Sequence, residues 1–325
     1  MQGCDEFSAI DLEIHREERM KAMRLMSGGT LAEADIPQPV PGNGEVLVRV
    51  YASGVTHEEL SWYPTTHTKT GAARTSAVPG HEFSGVIAAV GEGVSGFEAG
   101  KEIYGMNDWF ADGATAEFCV TQVSSIAEKP RKLTHVEAAS VPIAALTAWQ
   151  GLFERAKLKA GERVLVHGGS GAVGIFAVQM AKSRGAHVIA TASAHNLELV
   201  LGLGADEVID YRQERFEDRV GKVDVVFDTV GGETLERSWN VLDEDGRMVT
   251  IASEVEGTDD PRLKKAFFIV EPNQAQLVEV AKELDAGKLR TIVGATVPLE
   301  EAGRAYLGDL THKGGPGKVI VVVKT

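Results

Sequence analysis

The chain has 325 residues, which is more than one average domain, so two domains are expected. Its composition, with 43% hydrophobic and 25% charged residues, is that of a globular protein and excludes a disordered, collagen-like or coiled-coil chain. The 33 basic and 47 acidic side chains give a net charge of -14, which argues against nucleic acid or an anionic membrane as the main partner.

The first predicted elements follow an acidic N-terminal stretch. Residues 1–19 carry six acids and two arginines with little pattern, and we expect either an extension without a catalytic role or an ordinary first helix. Residues 20–140 are rich in glycine, proline and short β-type runs. The run Glu45–Tyr51 alternates polar and apolar residues, as a half-buried strand does, and Phe83–Val90 is a second candidate. These features predict a β-rich first domain.

After residue 141 the predicted strands alternate with helices. This order indicates βαβ units and a parallel sheet covered on both faces. The predicted strands are residues 163–167, 187–191, 207–210, 223–228, 247–251 and 291–297. The predicted helices are residues 172–184, 195–203, 233–242 and 273–286, and a helix over 299–310 precedes a last strand over 318–323.

The most specific motif is a glycine-rich loop between the first strand and first helix of that series. It has the G-x-G-x-x-G pattern, which indicates a dinucleotide site when it follows a strand and begins a helix. The first glycine, Gly169, is expected to permit the tight turn, the second the approach of a pyrophosphate, and the third close helix packing. The alternative is a turn that requires glycine for its geometry alone. The expected phosphate contacts come from Gly169, Ser170, Gly171, Ala172, Val173 and Gly174.

The segment after the second strand of the series bears on the choice of nicotinamide cofactor. An NAD site usually has an acid about 20 residues beyond the loop, bonded to the ribose 2′-OH. Here no acid occurs in residues 190–197, and the first is Glu198. The sequence therefore favours NADPH over NADH, although His195 has the alternative of a solvated residue at a helix start. The expected contacts are Thr191, Ser193, His195, Asn196 and Tyr211, with Arg212 beside them.

Three segments together carry a family resemblance. These are Pro79–Gly91, with the sequence PGHEFSGVIAAVG, the glycine-rich loop, and residues 204–211, with GADEVIDY. From about Met20 to Thr325 the chain resembles the medium-chain dehydrogenase/reductase superfamily, and within it the zinc-independent, zeta-crystallin-like quinone oxidoreductases. The resemblance implies an α/β fold in which a Rossmann doubly wound parallel sheet is inserted into a GroES-like β-rich domain. It places the cofactor in the cleft between the two domains.

The resemblance also implies domain limits and further cofactor contacts. Residues 20–142 and 288–325 would form the GroES-like catalytic domain, and 143–287 the Rossmann domain that binds NADP. By pattern alone, most of the segments concerned are apolar strands with turn residues and would be called core. The implied contacts are Thr147 near the nicotinamide, Val230, Ile251 and Ala252 at its ribose, Phe268 and Ile269 at its carboxamide, and Lys318 reaching toward the cofactor.

The zinc-dependent members of the superfamily use three protein ligands, and this chain keeps one donor at those positions. Thr56 stands where a cysteine would, His81 is retained, and the third position falls at about Ile143. A catalytic zinc needs three protein donors, and the four-cysteine lobe of the structural zinc is missing, so no zinc is expected. His81 and Glu82 then either shape the substrate pocket or relay a proton, or else they keep a hydrogen-bonded turn. Glu58 and Glu59 are expected to be solvated.

Without a Lewis acid, reduction of a quinone or an activated C=C bond is easier than oxidation of a simple alcohol. The predicted activity is an NADPH-dependent oxidoreductase acting on quinones or other α,β-unsaturated carbonyl compounds. The candidate catalytic donors are Tyr63, Thr56 and His57. Trp62 and Tyr63 either form an aromatic wall for a planar substrate or pack the β domain.

Two alternative functions remain open from the sequence. One is an enoyl-thioester or haloacrylate-type reductase on the same fold, for which Lys69 and Arg74 are the nearby cations. The other is an NADPH-binding protein without turnover, because its cofactor loop would look the same. A homodimer is expected, since Gly246–Ile251 resembles the edge strand through which such domains pair.

The cysteine count and the apolar runs bear on localisation. The two cysteines, Cys4 and Cys119, do not form a disulfide framework and favour a reducing cytoplasm. No apolar run approaches the ~20 residues of a membrane span, and the N-terminus lacks the pattern of a signal peptide. The expected partner is therefore a small-molecule substrate, with no membrane and no nucleic acid.

Overall fold

A computed structural model of the protein describes residues 18–252, 257–308, 310 and 315–324. The β-rich part starts with an antiparallel hairpin and continues into a seven-stranded sheet in the order β13-β14-β3-β4-β5-β7, with β6 paired to β3. Its strands are β1 (Arg19–Leu25), β2 (Leu31–Pro37), β3 (Glu45–Gly54), β4 (Glu82–Val90), β5 (Glu102–Met106), β6 (Phe118–Gln122), β7 (Ile126–Glu128), β13 (Val293–Pro298) and β14 (Lys318–Val322). Its helices are α1 (Tyr63–Thr66), α2 (His135–Ala139) and α9 (Ala302–Tyr306).

Strand β3 lies inside this sheet and is more buried than its alternating pattern suggests. Val46, Val48 and Val50 pack with Phe83 in one core cluster, and Leu47 on the opposite face is buried as well. The strand pairs with β4 along one edge and with β6 and β14 along the other, so neither edge is open. Strand β14 returns from the far end of the chain and lies antiparallel to the end of β3, so the C-terminus completes the sheet that the first residues begin.

The second part is the predicted parallel sheet, with five strands in the order β10-β9-β8-β11-β12. Strand order reverses at β8, and in such sheets the ligand cleft lies at the carboxyl ends of the strands around this point. The strands are β8 (Arg163–Val166), β9 (His187–Ala192), β10 (Glu207–Asp210), β11 (Val223–Asp228) and β12 (Leu242–Thr250). The helices are α3 (Pro142–Trp149), α4 (Ala172–Ser183), α5 (Leu197–Gly202), α6 (Gly232–Ser238), α7 (Pro261–Ala266) and α8 (Gln274–Asp285).

The fold class is confirmed, and several predicted boundaries are wrong. The helix expected to run to Leu242 ends at Ser238, and β12 begins at Leu242 itself. Lys222 explains this early strand, because its Nζ donates to the carbonyls of Asn240 and Leu242 at 3.1 and 2.7 Å and holds that segment beside β11. These contacts between the ammonium and the two carbonyls therefore hold the start of a strand where the sequence pattern favoured a helix.

Three further differences concern the ends of elements. The helix predicted over 195–203 is a short 3₁₀ turn followed by α5, and the one predicted over 299–310 is a 3₁₀ turn followed by α9. Arg19, placed in the N-terminal extension, is the first residue of β1. The rest of the extension up to residue 17, with Cys4, lies outside the described residues. In the described part of the chain no helix is long and apolar enough to cross a membrane.

Candidate functional site

The glycine-rich loop follows β8 and is fixed mainly by backbone contacts with β9. Gly169 N donates to Thr191 O at 2.9 Å, Gly168 N to the Thr191 hydroxyl at 3.2 Å, and Gly171 N to Gly168 O at 2.9 Å. Gly171 is the residue that precedes α4, and no side chain caps the helix. The first N–H groups of α4 therefore have no partner within the helix and present a site for an anion. This cradle fits the diphosphate of a dinucleotide.

The three glycines of the motif act differently from the expectation in one respect. The left-handed residue of the turn is Gly168, with φ of +74°, so the tight turn does not depend on Gly169. Gly169 is closely packed instead, since a Cβ there would lie 3.0 Å from Ala190 Cβ, a tight contact. Gly174 is the most constrained, because its Cβ would lie 2.1 Å from Gly168 O. The Gly-Gly pair in the sequence was the signal for this turn.

The residues expected near the adenosine end divide into a buried and an exposed group. Asn196 is buried, and its amide donates to Ser170 Oγ at 3.1 Å and Ser193 Oγ at 3.3 Å, so it holds the loop in place. Thr191 is buried and bonded to the loop as described above. His195 and Tyr211 are exposed, and the guanidinium of Arg212 lies 5.6 Å from the centre of the Tyr211 ring. The exposed group can meet a ligand.

The residues expected near the nicotinamide follow β11, β12 and α7 or lie on α3. Thr147 is buried and donates to Ile143 O at 2.6 Å within the helix. Phe268 N donates to Thr250 O at 3.3 Å, which ties its segment to β12. Ile251 is partly exposed and Ala252 and Phe268 are buried, whereas Val230 and Ile269 expose about half of their surface. Large apolar side chains this exposed at the ligand edge of the sheet are available for contact with a ring.

The C-terminal strand brings a lysine to the positions of the zinc ligands. Lys318 Nζ forms an ion pair with Glu82 and lies 3.3 Å from Thr56 Oγ1. The other carboxylate oxygen of Glu82 accepts from Ile143 N at 2.9 Å. Burial raises the pKa of Glu82, and the Lys318 ammonium opposes that rise. The resemblance implies that Lys318 reaches toward the cofactor, and within the protein its ammonium contacts Thr56 and Glu82.

His81, the one retained zinc-ligand position, is engaged by other groups. Its Nδ1 donates to Glu59 Oε1 at 2.6 Å, and its Nε2 lies 3.3 Å from Ala111 O. Glu59 is fully buried, so the expectation that it is solvated is wrong; the same oxygen also accepts from Gly80 N. His81 is therefore part of a hydrogen-bonded turn. Over residues 18–252 and the later described segments, no group of three or more His, Cys, Asp or Glu side chains could hold a metal ion.

The neighbouring aromatic residues Trp62 and Tyr63 differ in exposure and packing. Tyr63 exposes 52% of its surface and stacks on His67, with ring centres 4.4 Å apart. Trp62 packs edge-on against Trp109 at 5.3 Å. Tyr63 is thus available to a ligand while Trp62 supports the loop. His57, the third candidate donor, is exposed at the start of the same loop.

Comparisons with known proteins agree with this geometry. The family described as "Alcohol dehydrogenase GroES-like domain" matches residues 42–131, and the one described as "Zinc-binding dehydrogenase" matches residues 203–321. The quinone oxidoreductase of Lama guanicoe is 30% identical over 328 residues, covering 94% of this chain and 98% of that protein. The chain belongs to the medium-chain dehydrogenase/reductase superfamily, in its quinone oxidoreductase branch.

Two further comparisons support the same assignment. The structure of the quinone oxidoreductase from Coxiella burnetii superposes with a TM-score of 0.85 at 29% identity, covering 94% of this chain and 100% of that one. The 2-methylene-furan-3-one reductase of Solanum lycopersicum is 36% identical over 229 residues, which are 68% of this chain and 57% of that protein. As a member of this branch, the protein is an oxidoreductase that uses a nicotinamide cofactor on a small-molecule substrate.

Proposed function

We propose that this protein is an NADPH-dependent oxidoreductase that transfers hydride to quinones or other α,β-unsaturated carbonyl compounds without zinc. The observation that carries the proposal is the combination of an intact dinucleotide loop with zinc-ligand positions occupied otherwise. Thr56 contacts Lys318, His81 is bonded to Glu59, and Ile143 N is bonded to Glu82. Such a site lacks the donors that an alkoxide-stabilising zinc requires.

A reduced nicotinamide held at this loop supplies a hydride to an electron-poor carbon. The chain's own residues hold the ring and the substrate together and limit the access of water. Val230 and Ile269 offer exposed apolar surface, and Tyr63 offers an exposed ring and hydroxyl. We assign substrate orientation to Tyr63, with Thr56 and His57 as the other candidate donors.

The preference for NADPH rests on the surroundings of β9. No acid lies in residues 190–197 to repel a 2′-phosphate, and His195, Tyr211 and Arg212 are near the end of this strand and the next. We expect Arg212→Ala to raise KM for NADPH more than KM for NADH. The matched control is Arg215→Ala, since Arg215 is an exposed arginine three residues on that pairs with Glu217. A wild-type kcat/KM that is equal for the two cofactors would contradict the preference.

The substrate class is tested with steady-state NADPH oxidation against a panel of quinones, enones, acyl-CoA thioesters and acrylates. We expect turnover with quinones or enones and little with thioesters. The two cations considered for a thioester or carboxylate are already paired, Lys69 with Asp108 at 2.7 Å and Arg74 with Asp112 at 2.6 Å. Higher kcat/KM for thioesters than for all quinones and enones would favour the alternative reductase. NADPH binding without oxidation by any compound would favour a non-catalytic protein.

The remaining parts of the proposal concern metal, assembly and location. We expect elemental analysis of protein purified without chelator to find less than one zinc per chain. We propose a homodimer paired through β12, the edge strand of the parallel sheet, and expect sedimentation at micromolar concentration to give twice the chain mass. The proposed domains are residues 20–142 with 288–325 and residues 143–287, in a protein of the reducing cytoplasm.

A further inference from the structure

Lys318 contacts one of the positions that zinc-dependent members of the superfamily use to bind their metal. Its ammonium contacts Thr56 and Glu82, and Glu82 in turn accepts from the backbone of Ile143. Thr56 and Ile143 correspond to two of the three ligand positions. The ammonium therefore lies beside the first of these positions and is joined to the second through the Glu82 carboxylate.

The surrounding chain is built to admit this ion pair. Lys318 is 7% exposed and Glu82 is fully buried. A Cβ at Gly54 would lie 2.5 Å from Glu82 Oε1, so glycine at that position leaves room for the carboxylate. A buried ion pair is weak evidence for stability, since well-packed apolar residues often stabilise as much or more. Stability alone therefore does not account for a buried ion pair at this position.

The position of Lys318 is also fixed relative to the cofactor loop. The preceding residue, Gly317, donates its N–H to Ser170 O at 3.1 Å and pairs with Gly171 in an isolated bridge. Gly317 has φ of +82°, and a Cβ there would lie 2.2 Å from Ile292 O. The backbone that carries the lysine therefore touches the loop that binds the diphosphate. Thr56, which the ammonium contacts, is partly exposed.

We propose that Lys318 is a positioning and proton-supplying residue that acts through Thr56 on the carbonyl oxygen of the substrate. The assignment rests on the proposed function, since it concerns the oxygen of a quinone or enone. Lys318 donates to Thr56 Oγ1, which leaves the threonine proton directed away from the lysine. A charged donor behind a hydroxyl strengthens the bond that the hydroxyl gives to a developing oxyanion.

One proton moves from Lys318 through Thr56 to the substrate. When an enone accepts hydride at its β carbon, an electron pair moves onto its carbonyl oxygen. Thr56 gives its proton to that oxygen and takes one from Lys318 Nζ, so one O–H bond forms on the product and one N–H bond breaks. Lys318 is left as a neutral amine beside Glu82 and regains a proton from water when the product leaves. The enol rearranges to the ketone in solution, and a quinone leaves as the hydroquinone.

The first test measures how strongly the site stabilises an oxyanion and requires no turnover. p-Nitrophenol is added to the full-length protein with NADP⁺ present, and the absorbance of its phenolate is followed as a function of pH. We expect the wild-type protein to favour the phenolate. In Lys318→Met the ionisation ratio is expected to fall by about tenfold at fixed pH, a shift of about one pH unit. Equal ionisation of p-nitrophenol in the wild type, in Lys318→Met and in water would overturn the proposal.

The second test separates the charge from its structural effect. Lys318→Met leaves Glu82 buried without its cation, so the double variant Glu82→Gln with Lys318→Met is measured beside it. We expect kcat/KM for the best substrate to fall by roughly 10²–10³-fold in both, with the Kd for NADPH changed less than about threefold. Thr56→Val is expected to lower kcat/KM by a similar factor, and Thr56→Ser is expected to retain most of the activity. A matched buried lysine is Lys129, paired with Glu102, and Lys129→Met is expected to keep kcat/KM.

The two tests distinguish this inference from the proposed function. A wild-type protein that reduces quinones and whose rate survives in the double variant would overturn the role of Lys318 and leave the proposed function intact. A protein that ionises p-nitrophenol through Lys318 and reduces no quinone or enone would refute the proposed function and leave the oxyanion site standing.

Discussion

The substitution Gly174→Ala tests whether close packing at the start of α4 governs cofactor binding. An alanine Cβ would lie 2.1 Å from Gly168 O, 2.8 Å from Gly168 C and 2.9 Å from Gly169 Cα, all of which are backbone atoms. Real Cβ atoms essentially never approach closer than 3.0 Å, so the loop must move. Overpacking of this kind costs roughly 1–3 kcal/mol, whereas alanine gains about 1 kcal/mol over glycine in a helix interior. The clash is therefore expected to exceed the gain.

The displaced loop is expected to weaken cofactor binding as well as stability. A loop displaced by about 1 Å no longer directs its amides at the diphosphate. In enzymes, a misplacement of this size can lower the reaction rate about 10²-fold. We expect the Kd for NADPH, measured by fluorescence titration, to rise at least about tenfold, or about 1.4 kcal/mol. The melting temperature is expected to fall by a few degrees. Unchanged affinity together with an unchanged or higher melting temperature would refute the packing argument.

A second glycine provides the matched control. Gly303 lies within α9, and a Cβ there would be 3.9 Å from Leu31, an ordinary contact. Gly303→Ala is expected to stabilise the protein by about 0.4–1 kcal/mol through the entropy of the unfolded chain. It should leave the Kd for NADPH unchanged. A loss of affinity in both variants would show that the effect is not specific to the loop.

Three other predictions concern single side chains. Burial lowers the pKa of His167 from its ordinary 6.5 to about 3, so the unfolded chain binds the proton first. The free energy of unfolding should therefore fall by up to about 1.4 kcal/mol per pH unit as the pH drops from about 6.5 toward 3. Urea titrations of His167→Gln should show a weaker dependence of this free energy on pH. Burial raises the pKa of Cys119 to about 12, so in a Cys4→Ser background the thiol should react with iodoacetamide only on unfolding, and fast alkylation of the folded protein would contradict this. Tyr63→Phe should lower kcat with the melting temperature unchanged, and an unchanged kcat would end the role of its hydroxyl.

The parts of the fold that depend on local pattern were predictable from the sequence. The strands β8, β9 and β11 are short apolar runs because both of their faces are covered, and each run ends where a glycine or polar residue meets the ligand edge. The boundary at Leu242 was not predictable, because it depends on Lys222 reaching across from the neighbouring segment. Local pattern contains no record of such a contact.

The site was predictable in its types of residue but not in their pairing. Asn196 is expected to meet the cofactor, and within the chain its amide also donates to Ser170 and orients it in the loop. Glu59 was expected in solvent and is the buried partner of His81, 22 residues away in sequence. Such pairs join segments that are separate in sequence and adjacent in the fold, so spacing along the sequence could not reveal them.

The contrast between His81 and Lys318 shows how the same scaffold can change its chemistry. Both ring nitrogens of His81 face protein oxygens, so this histidine is committed to the turn that holds Gly80 and Glu59. Lys318 supplies the one cation that contacts Thr56 in the described part of the site. A lysine cannot polarise an alcohol as zinc does, but it can give a proton to an oxygen that has become an anion. That difference supports the proposed reduction of an activated carbonyl compound over oxidation of a simple alcohol.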